Sequence, residues 1–303
     1  MHGRPSWGGR PEEEPVKIGL HIADFTYPSG PAGLADDLAR VAAAAEEAGF
    51  ARNSVKDHVW QIANHGPPEH EMLEAYTTLG YLAARTSRVD LLAWVTATTY
   101  RAPGLLAKLV STLDVLSGGR AWLGVGAGWN EPEATGLGLS FPPLRDRFEQ
   151  LEETLQICRQ MWSGTAEPYR GKHFALDRTL NVPAPLHRPR ILIGGGGEQK
   201  TLRFVARYGD ACNIQARADV AHKLEVLRGH CETEARPYEE IEKTAQLVLD
   251  IGDKGENVDA FLAELRRLSD LGVQAVQGKL PKVWELDRIA LFGREVIAAA
   301  AEL

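Results

Sequence analysis

A run of four glycines is the segment of this 303-residue sequence with the clearest chemical meaning. Gly194, Gly195, Gly196 and Gly197 follow a short apolar run and precede a helical pattern. Glycine lets the backbone approach a ligand closely, and the first turn of the next helix has free N–H groups and partial positive charge. The segment therefore predicts a phosphate-binding turn, with a flexible turn that binds nothing as the alternative.

A second glycine-rich segment ends another apolar run. Gly126, Ala127 and Gly128 stand in the sequence GVGAGWNE, and glycine there would let a flat ring system lie against the backbone. Close packing of a strand against a helix explains these glycines equally well. The segment lacks the acidic residue that a dinucleotide fingerprint places about 20 positions later, so that type of site is not predicted.

An acid–histidine pair follows a third short run. Asp57 and His58 come just before the aromatic Trp60. Imidazole titrates near neutral pH, so His58 could hold or transfer a proton, with Asp57 fixing its tautomer or binding a cofactor. A solvated loop histidine is the alternative. The nearby stretch HGPPEHE has proline in its middle and no helix to align ligands, so no metal site is expected.

Polar and aromatic residues follow several of the apolar runs. Asp24 follows the first run and is a candidate for binding a cofactor. Trp94, in the third run, either walls a pocket or simply fills the interior. The candidates for a substrate pocket are Phe25, Trp60, Trp94, Trp129, Asn130 and Glu131.

The order of elements gives these positions a common place. Eight short apolar runs alternate with eight helical patterns from residue 16 onward, which predicts a parallel sheet with crossover helices. Eight such units favour a closed (β/α)8 TIM barrel over an open sheet. Insertions are expected after the fourth strand, at 130–144 and at 163–189, the second with a short hairpin. The seventh strand is placed at 245–251. Because a barrel binds ligands where its strands end, the candidates should meet at one rim.

Composition and charge exclude several classes of protein. The formal net charge is −7 and the pI is about 5.8, and no basic cluster is present, so a nucleic-acid partner is not expected. No apolar stretch approaches the ~20 residues of a membrane span. The three cysteines fit no zinc or redox spacing, which favours a reducing, cytoplasmic location. Residues 1–15 are expected to be a disordered lead-in and residues 16–303 a single domain.

Several segments together resemble the luciferase-like monooxygenase family. They are AAAAEEAGF, KDHVWQI, the central stretch from EAYTTLGYLAART to GVGAGWNEPE, RFEQLEETLQICRQMW and PRILIGGGGEQKTLRFVARYGDACN. The resemblance implies a (β/α)8 barrel that holds FMN or the deazaflavin coenzyme F-420 at the carboxyl ends of its strands. The Asp57–His58 pair is similar to that of the F-420-dependent branch, in which the histidine lies near the reactive ring.

The same resemblance implies further positions in the cofactor site. It places a non-prolyl cis peptide near residues 93–96, behind the ring, which adds Ala93 and Thr96 to the expected cofactor-binding residues. Two departures stand out. The second strand reads ARNSVKDH, where relatives carry apolar residues and a Trp. Trp129 occupies the neighbourhood of a Glu found in relatives that oxidise sugar phosphates, so a sugar-phosphate substrate is not expected.

The working hypothesis is an oxidoreductase that transfers a hydride between coenzyme F-420 and a small organic substrate. An FMN-dependent monooxygenase that uses O2 is the alternative. A second alternative, suggested only by the polar second strand, is a barrel without catalytic activity that acts as a binding protein. Relatives are commonly dimers, and the apolar helices permit a homodimer. Nothing in the sequence selects the substrate or the direction of the reaction.

Overall fold

The computed structural model describes residues 15–217 and 219–301, so the expected lead-in at 1–15 lies outside the described residues except for Pro15. Its strands alternate with helices along the chain. The strands are β1 (Lys17–Ile22), β2 (Arg52–Val55), β3 (Asp90–Ala93), β4 (Thr96–Ala97), β5 (Ala121–Gly126), β6 (Tyr169–Arg170), β7 (Ala175–Leu176), β8 (Arg190–Gly194), β9 (Ala211–Gln215), β10 (Glu242–Gln246) and β11 (Ala275–Gly278).

Eight of these strands close into a parallel barrel. The order runs β3-β2-β1-β11-β10-β9-β8-β5, and a further pairing between β3 and β5 closes the ring. The two-residue strand β4 extends β3 and also pairs with β5. The predicted TIM barrel is confirmed, and the open sheet is excluded because no barrel strand is left as an edge.

Helices cover the outside of the barrel. Helix α1 shows how the sequence directs this packing: Leu34, Leu38, Val41, Ala42 and Ala45 recur at helical spacing and are buried. The helices are α1 (Gly30–Glu47), α2 (Ala75–Ala83), α3 (Pro103–Ser117), α4 (Glu131–Gly136), α5 (Leu144–Trp162), α6 (Thr201–Tyr208), α7 (Val220–Thr233), α8 (Val258–Asp270), α9 (Leu286–Phe292) and α10 (Ala298–Ala300), with a 3-10 turn at Tyr238–Glu240 and a π-helical turn at Gly293–Ile297.

The expected insertions follow β5, the fourth strand of the barrel. Helix α4 precedes α5, and the expected hairpin is formed by β6 and β7. The hairpin turn is held by Glu153 of α5, whose carboxylate accepts hydrogen bonds from the backbone N–H groups of Lys172, His173 and Phe174. This second insertion therefore packs on the outer helices rather than over the barrel mouth.

The seventh barrel strand lies earlier in the sequence than predicted. The strand is β10, at Glu242–Gln246, whereas the apolar run at 245–251 on which the prediction rested is mostly a loop. The misplacement has a physical cause. Glu242 is buried at the start of the strand because the guanidinium groups of Arg52 and Arg190 bind its carboxylate at 2.9 and 3.2 Å, so a charged residue occupies a core position.

The polar second strand is accommodated inside the barrel. Besides binding Glu242, Arg52 lies 4.0 Å from the ring centre of Trp122, and Arg190 lies 4.2 Å from the same ring. Ser54 accepts a hydrogen bond from Gln277 at 2.7 Å. The unusual polarity of ARNSVKDH therefore reflects a buried network that spans several strands.

Candidate active site

A cavity of about 670 Å³ opens at the carboxyl ends of the barrel strands. Its wall contains Gly126 at the end of β5, Ala127 and Gly128 directly after it, and Gly194 and Gly195 at the end of β8. Since β5 and β8 pair in the barrel, the structure brings the two glycine-rich segments together. Pockets that bind cofactors and small molecules occupy about 300–1,000 Å³, so this cavity is large enough for a flavin-sized ligand.

The side chain of Val95 lies between the two glycine segments. A Cβ atom at Gly126 would lie 3.3 Å from Val95 Cγ2, and one at Gly194 would lie 3.0 Å from both γ-carbons of Val95. Close packing thus explains these two glycines, with Val95 as the neighbour. Gly128 has a φ of +78°, a left-handed conformation that favours glycine. The cis peptide implied by the family resemblance is present, between Trp94 and Val95.

The predicted site residues divide into two groups. Those in the cavity wall are Asp57, His58, Trp94, Thr96, Gly126, Ala127, Gly128, Trp129, Asn130, Gly194 and Gly195. Those that the structure places outside this wall are Asp24, Phe25, Trp60, Ala93, Glu131, Gly196 and Gly197. Residues at a strand end face either the mouth or the outer helices, and sequence position alone does not tell which.

The residues outside the wall have other neighbours. Phe25 and Ala93 are buried in the hydrophobic core. Asp24 accepts a hydrogen bond from the backbone of Thr26. The remaining four residues lie nearer to the surface: Trp60 in a separate cleft of about 550 Å³, Glu131 exposed on α4, Gly196 in an adjoining smaller cavity, and Gly197 close to the side chain of Thr201.

Asp57 forms a buried ion pair rather than a contact with His58. Arg101 donates two hydrogen bonds to its carboxylate, at 2.6 and 3.0 Å, and the Asp57 side chain is 1% exposed. Burial alone would lower the pKa of Arg101, but the charge of Asp57 and its hydrogen bonds raise it. Asp57 therefore anchors the segment after β2 to the segment before α3, and it does not set the tautomer of His58 as the sequence suggested.

Replacing Asp57 by Asn should strongly destabilise the fold. The substitution leaves the Arg101 guanidinium with the partly exposed Glu74 as its remaining ion-pair partner. Breaking a buried pair typically costs about 3–5 kcal/mol, and the bond to Glu74 places the expected loss at the lower end of this range, at about 3 kcal/mol. We expect the free energy of unfolding, measured by urea denaturation, to fall by about that amount. The matched control is Asp177→Asn, because Asp177 pairs with Arg170 at a side-chain exposure of 99%, and exposed pairs contribute about 0–1 kcal/mol. Equal losses in the two variants would contradict the structural role of Asp57.

His58 is held by Glu133, a residue that the sequence did not single out. The Nδ1 atom of His58 lies 2.5 Å from Oε2 of Glu133. The ring also packs edge-on against Trp129, with ring centres 5.5 Å apart. A carboxylate can only accept, so Nδ1 carries the proton in this bond, and Nε2 is the ring nitrogen that can exchange one.

Glu133 collects hydrogen bonds from several elements. Tyr100 and Asn130 each donate to Oε2 at 2.8 Å, and the backbone N–H groups of Val59 and Trp60 donate to Oε1. Burial alone would raise the pKa of Glu133, but the hydrogen bond from His58 and the others lower it to about 2. The carboxylate is ionised at neutral pH. The only signal in the sequence is a second Glu in GWNEPE, since a six-residue helix shows no clear periodicity.

Two further histidines of the cavity wall are kept neutral. Burial lowers the pKa of His21 well below its usual value, and the charge of Lys56 adds to this shift. His21 is bonded at Nδ1 to Ser54 at 2.9 Å. Burial, with Lys56 and Lys279, also lowers the pKa of His65 to about 4. Neither imidazole contributes positive charge to the cavity at pH 7.

The depressed pKa of His65 predicts an acid-sensitive fold. In the unfolded chain His65 takes up a proton near pH 6.5, whereas in the folded chain it does so only near pH 4. Its contribution to stability is therefore present above pH 6.5 and is lost as the pH falls from 6.5 to 4. We expect the difference in unfolding free energy between pH 7 and pH 5 to shrink in His65→Asn. The same replacement at the exposed His222 should leave that difference unchanged; equal effects would refute the assignment.

A smaller cavity of about 240 Å³ adjoins the main one. The two share Gly195, and the smaller is lined also by Gly196, Arg217 and Lys223. Lys223 Nζ donates a hydrogen bond to Glu198 at 2.6 Å. A Cβ atom at Gly196 would have only Lys223 Cε nearby, at 3.8 Å, so the backbone there is open to a ligand. Asp219 also lines this cavity, 3.8 Å from Lys223 Nζ. The glycine backbone and two cationic side chains are hydrogen-bond donors that suit a phosphate.

The sequence model of the luciferase-like monooxygenase family matches residues 19–286. The chain belongs to this family. It is therefore an oxidoreductase or monooxygenase built on a (β/α)8 barrel. No helix among residues 15–217 and 219–301 combines the length and apolar character that crossing a bilayer requires.

Two curated relatives and one solved structure illustrate the range of the similarity. The chain is 30% identical over 244 residues to an F-420-dependent glucose-6-phosphate dehydrogenase of Kineococcus radiotolerans, covering 78% of this chain and 68% of that protein. It is 31% identical over 161 residues to the pyrimidine monooxygenase RutA of Allorhizobium ampelinum, covering 52% of this chain but only 43% of that protein. The F-420-dependent tetrahydromethanopterin reductase of Methanopyrus kandleri superposes with a TM-score of 0.76 at 17% identity, covering 94% and 99% of the two chains, which shows a common fold.

Proposed function

We propose that the chain transfers a hydride between coenzyme F-420 and a small organic substrate. The observation that carries the proposal is the combination, in one cavity wall, of His58 fixed by Glu133 and the two glycine-rich segments at the ends of β5 and β8. The name of the Kineococcus relative, which states F-420 dependence, supports the deazaflavin over FMN. When bound, F-420 supplies the hydride chemistry, and the barrel supplies binding, orientation and proton transfer.

The residues of the cavity fit such a cofactor. Val95 presents its side chain between Gly126 and Gly194, Gly128 and Gly195 have no side chain, and Ala127 adds only a methyl group. A flat ring system can therefore lie against this part of the wall. The adjoining smaller cavity, with Gly196, Arg217 and Lys223, would hold the phosphate.

The His58–Glu133 pair provides one defined site of proton transfer. Glu133 holds the proton of the neutral imidazole on Nδ1, which leaves the lone pair of Nε2 free to accept a proton and the imidazolium free to return it. Trp129 packs edge-on against the ring and adds to the contacts that hold it in place. Thr96 is bonded to Tyr76 at 2.9 Å, which fixes the segment after the cis peptide.

A titration of the purified chain with each cofactor tests the proposal. We expect F-420 to bind with quenching of its fluorescence, and FMN to bind at least about tenfold more weakly, which corresponds to about 1.4 kcal/mol. Tight binding of FMN without binding of F-420 would reject the proposal in favour of the monooxygenase. The RutA relative is the specific observation that favours this second candidate. The non-catalytic barrel loses its support, because the polar second strand forms an internal network.

We also infer that the chain acts in the cytoplasm as a homodimer, on a small molecule and without nucleic acid. Four apolar side chains on α3 and the segment that crosses it are more than half exposed: Leu105, Leu116, Val182 and Leu186. Lys108 of α3 donates to the carbonyl of Val182 at 2.6 Å, so the two elements form one surface. An apolar surface of this kind is suited to a second copy of the chain. Sedimentation should show a dimer that Leu116→Glu converts to a monomer.

A further inference from the structure

Three nitrogen-bearing side chains line the cavity without a role in the arrangement described so far. Lys56 directly follows β2 and is only 4% exposed, His65 belongs to the loop that continues from it, and Lys279 directly follows β11. All three belong to the wall of the main cavity. We refer to them as the cationic wall.

The two lysines of the cationic wall lack an ion-pair partner among residues 15–217 and 219–301. Lys56 Nζ donates to Gln61 Oε1 at 2.9 Å, and Lys279 Nζ donates to His65 Nδ1 at 3.3 Å. Burial lowers the pKa of Lys56 to about 8, and the attraction of Asp24 and Glu133 offsets this only in part because Lys279 opposes it. A buried ammonium group without a counter-charge is unfavourable, so this side of the cavity is short of negative charge.

His65 adds a neutral donor to the same surface. An ammonium group can only donate, so His65 Nδ1 accepts from Lys279 and the proton of the neutral ring is on Nε2. The nearby charged and titratable groups that act on the three side chains are Asp24, His58, Glu133 and His21. The cationic wall therefore offers hydrogen-bond donors from two ammonium groups and one imidazole.

The position of the cationic wall separates it from the phosphate cradle at Gly195 and Gly196. Around the closed barrel, the order from β1 to β8 is β2, β3, β5 in one direction and β11, β10, β9 in the other. The phosphate cradle at β8 is therefore opposite β1 in the barrel. Lys56 and Lys279 follow β2 and β11, which are the two neighbours of β1. A phosphate bound at the cradle leaves the cationic wall without a counter-charge on the far side of the cavity.

We infer that the cationic wall binds an anionic oxygen group of the organic substrate, a carboxylate or a phosphate. The substrate class is therefore a small anionic compound, with its anionic group at β11, β1 and β2 and its reacting carbon between this group and the cofactor. That the bound anion belongs to a substrate rests on the proposed function. The anion site itself can be measured without the cofactor.

Calorimetric titration of the purified full chain tests the site. Benzoate is the carboxylate probe, benzamide is its neutral counterpart, and inorganic phosphate is the second anion. Phosphate is titrated in a Lys223→Met background, which removes one cation from the phosphate site proposed at Gly195 and Gly196. We expect at least one anion to bind at least about tenfold more tightly than benzamide, since one charge-assisted hydrogen bond contributes about a factor of ten or more to affinity. The anion that binds distinguishes a carboxylate from a phosphate.

Lysine variants assign the binding to the wall. Lys56→Met and Lys279→Met should each weaken the bound anion about tenfold or more, whereas the same change at the exposed Lys254 should not. Lys279 is partly exposed, so Lys279→Met should fold even if Lys56→Met does not. The role of the wall can then be tested with Lys279→Met alone. If neither variant changes the affinity for the anion, the inference is wrong. It is also wrong if F-420 competes with benzoate, because benzoate would then occupy the cofactor site. Failure of F-420 to bind would reject the proposed function but not the anion site.

Discussion

Replacing Glu133 by Gln should lower kcat by about 100-fold or more, since general acid–base catalysis contributes about 10²–10⁴-fold. Every group that contacts the carboxylate is a hydrogen-bond donor: His58, Tyr100 and Asn130 at Oε2, and two backbone N–H groups at Oε1. A glutamine must point its NH2 group at one of these sets. The two backbone N–H groups cannot accept a hydrogen bond, whereas His58, Tyr100 and Asn130 each have an acceptor atom, so the NH2 group should face His58. The ring must then accept at Nδ1, and its proton moves to Nε2, the atom that should accept the substrate proton.

Two readouts separate this positioning role from a loss of structure. The affinity for F-420 should remain within about threefold of the parent, which corresponds to about 0.7 kcal/mol, because Glu133 does not line the glycine segments. The nitrogen chemical shifts of His58 should show the proton on Nδ1 in the parent and on Nε2 in the variant. Glu131→Gln, an exposed replacement two residues away, is the matched control. A normal kcat, or a His58 that keeps its Nδ1 proton in the variant, would show that Glu133 does not position the ring.

Replacing Gly196 by Asp should weaken the binding of F-420 by about 30–100-fold. A Cβ atom at this position meets only Lys223 Cε at 3.8 Å, so the side chain fits. The carboxylate would lie beside the expected phosphate, and two like charges about 4 Å apart repel by about 4 kcal/mol at an effective dielectric of about 20, before screening by salt. It would also bind Lys223 and remove that cation from the phosphate.

The uncharged variant makes this second experiment decisive. Gly196→Asn has nearly the same shape as Gly196→Asp, so the difference in cofactor affinity between them measures the charge alone. Since F-420 and FMN both carry a phosphate, the expectation holds for either cofactor and tests the cradle rather than the choice between them. Equal affinities of the Asp and Asn variants would place the phosphate elsewhere.

The barrel and its rim can be predicted from the sequence because both depend on local patterns. Alternating apolar runs and helical spacing predict the eight units, and the topology of a barrel then places every strand end at one rim. Gly126, Gly128, Gly194, Gly195 and His58 follow from this argument alone. The cis peptide at Trp94 followed only from the family resemblance, since no local signal marks it.

The hydrogen-bond partners of His58 and Asp57 cannot be predicted in this way. Glu133 and Arg101 meet His58 and Asp57 across loops that are distant in the sequence, and pairings of this kind depend on tertiary structure. The seventh strand was misplaced for a related reason, because Glu242 becomes a core residue only when Arg52 and Arg190 lie beside it. A sequence pattern reports the structural preference of one segment. The burial of a charged side chain depends instead on partners that other segments place beside it.

The hydrogen bonds that Glu133 accepts from the backbone N–H groups of Val59 and Trp60 have a practical consequence for protein engineering. They join the loop after β2 to helix α4. The loop and the segment that contains α4 therefore form one structural unit at the barrel mouth. A chimera that imports only one of them from a relative would lose both the backbone bonds and the orientation of His58. Grafting the two together, with Tyr100 retained, keeps the unit intact while its outer surface is redesigned for a new substrate.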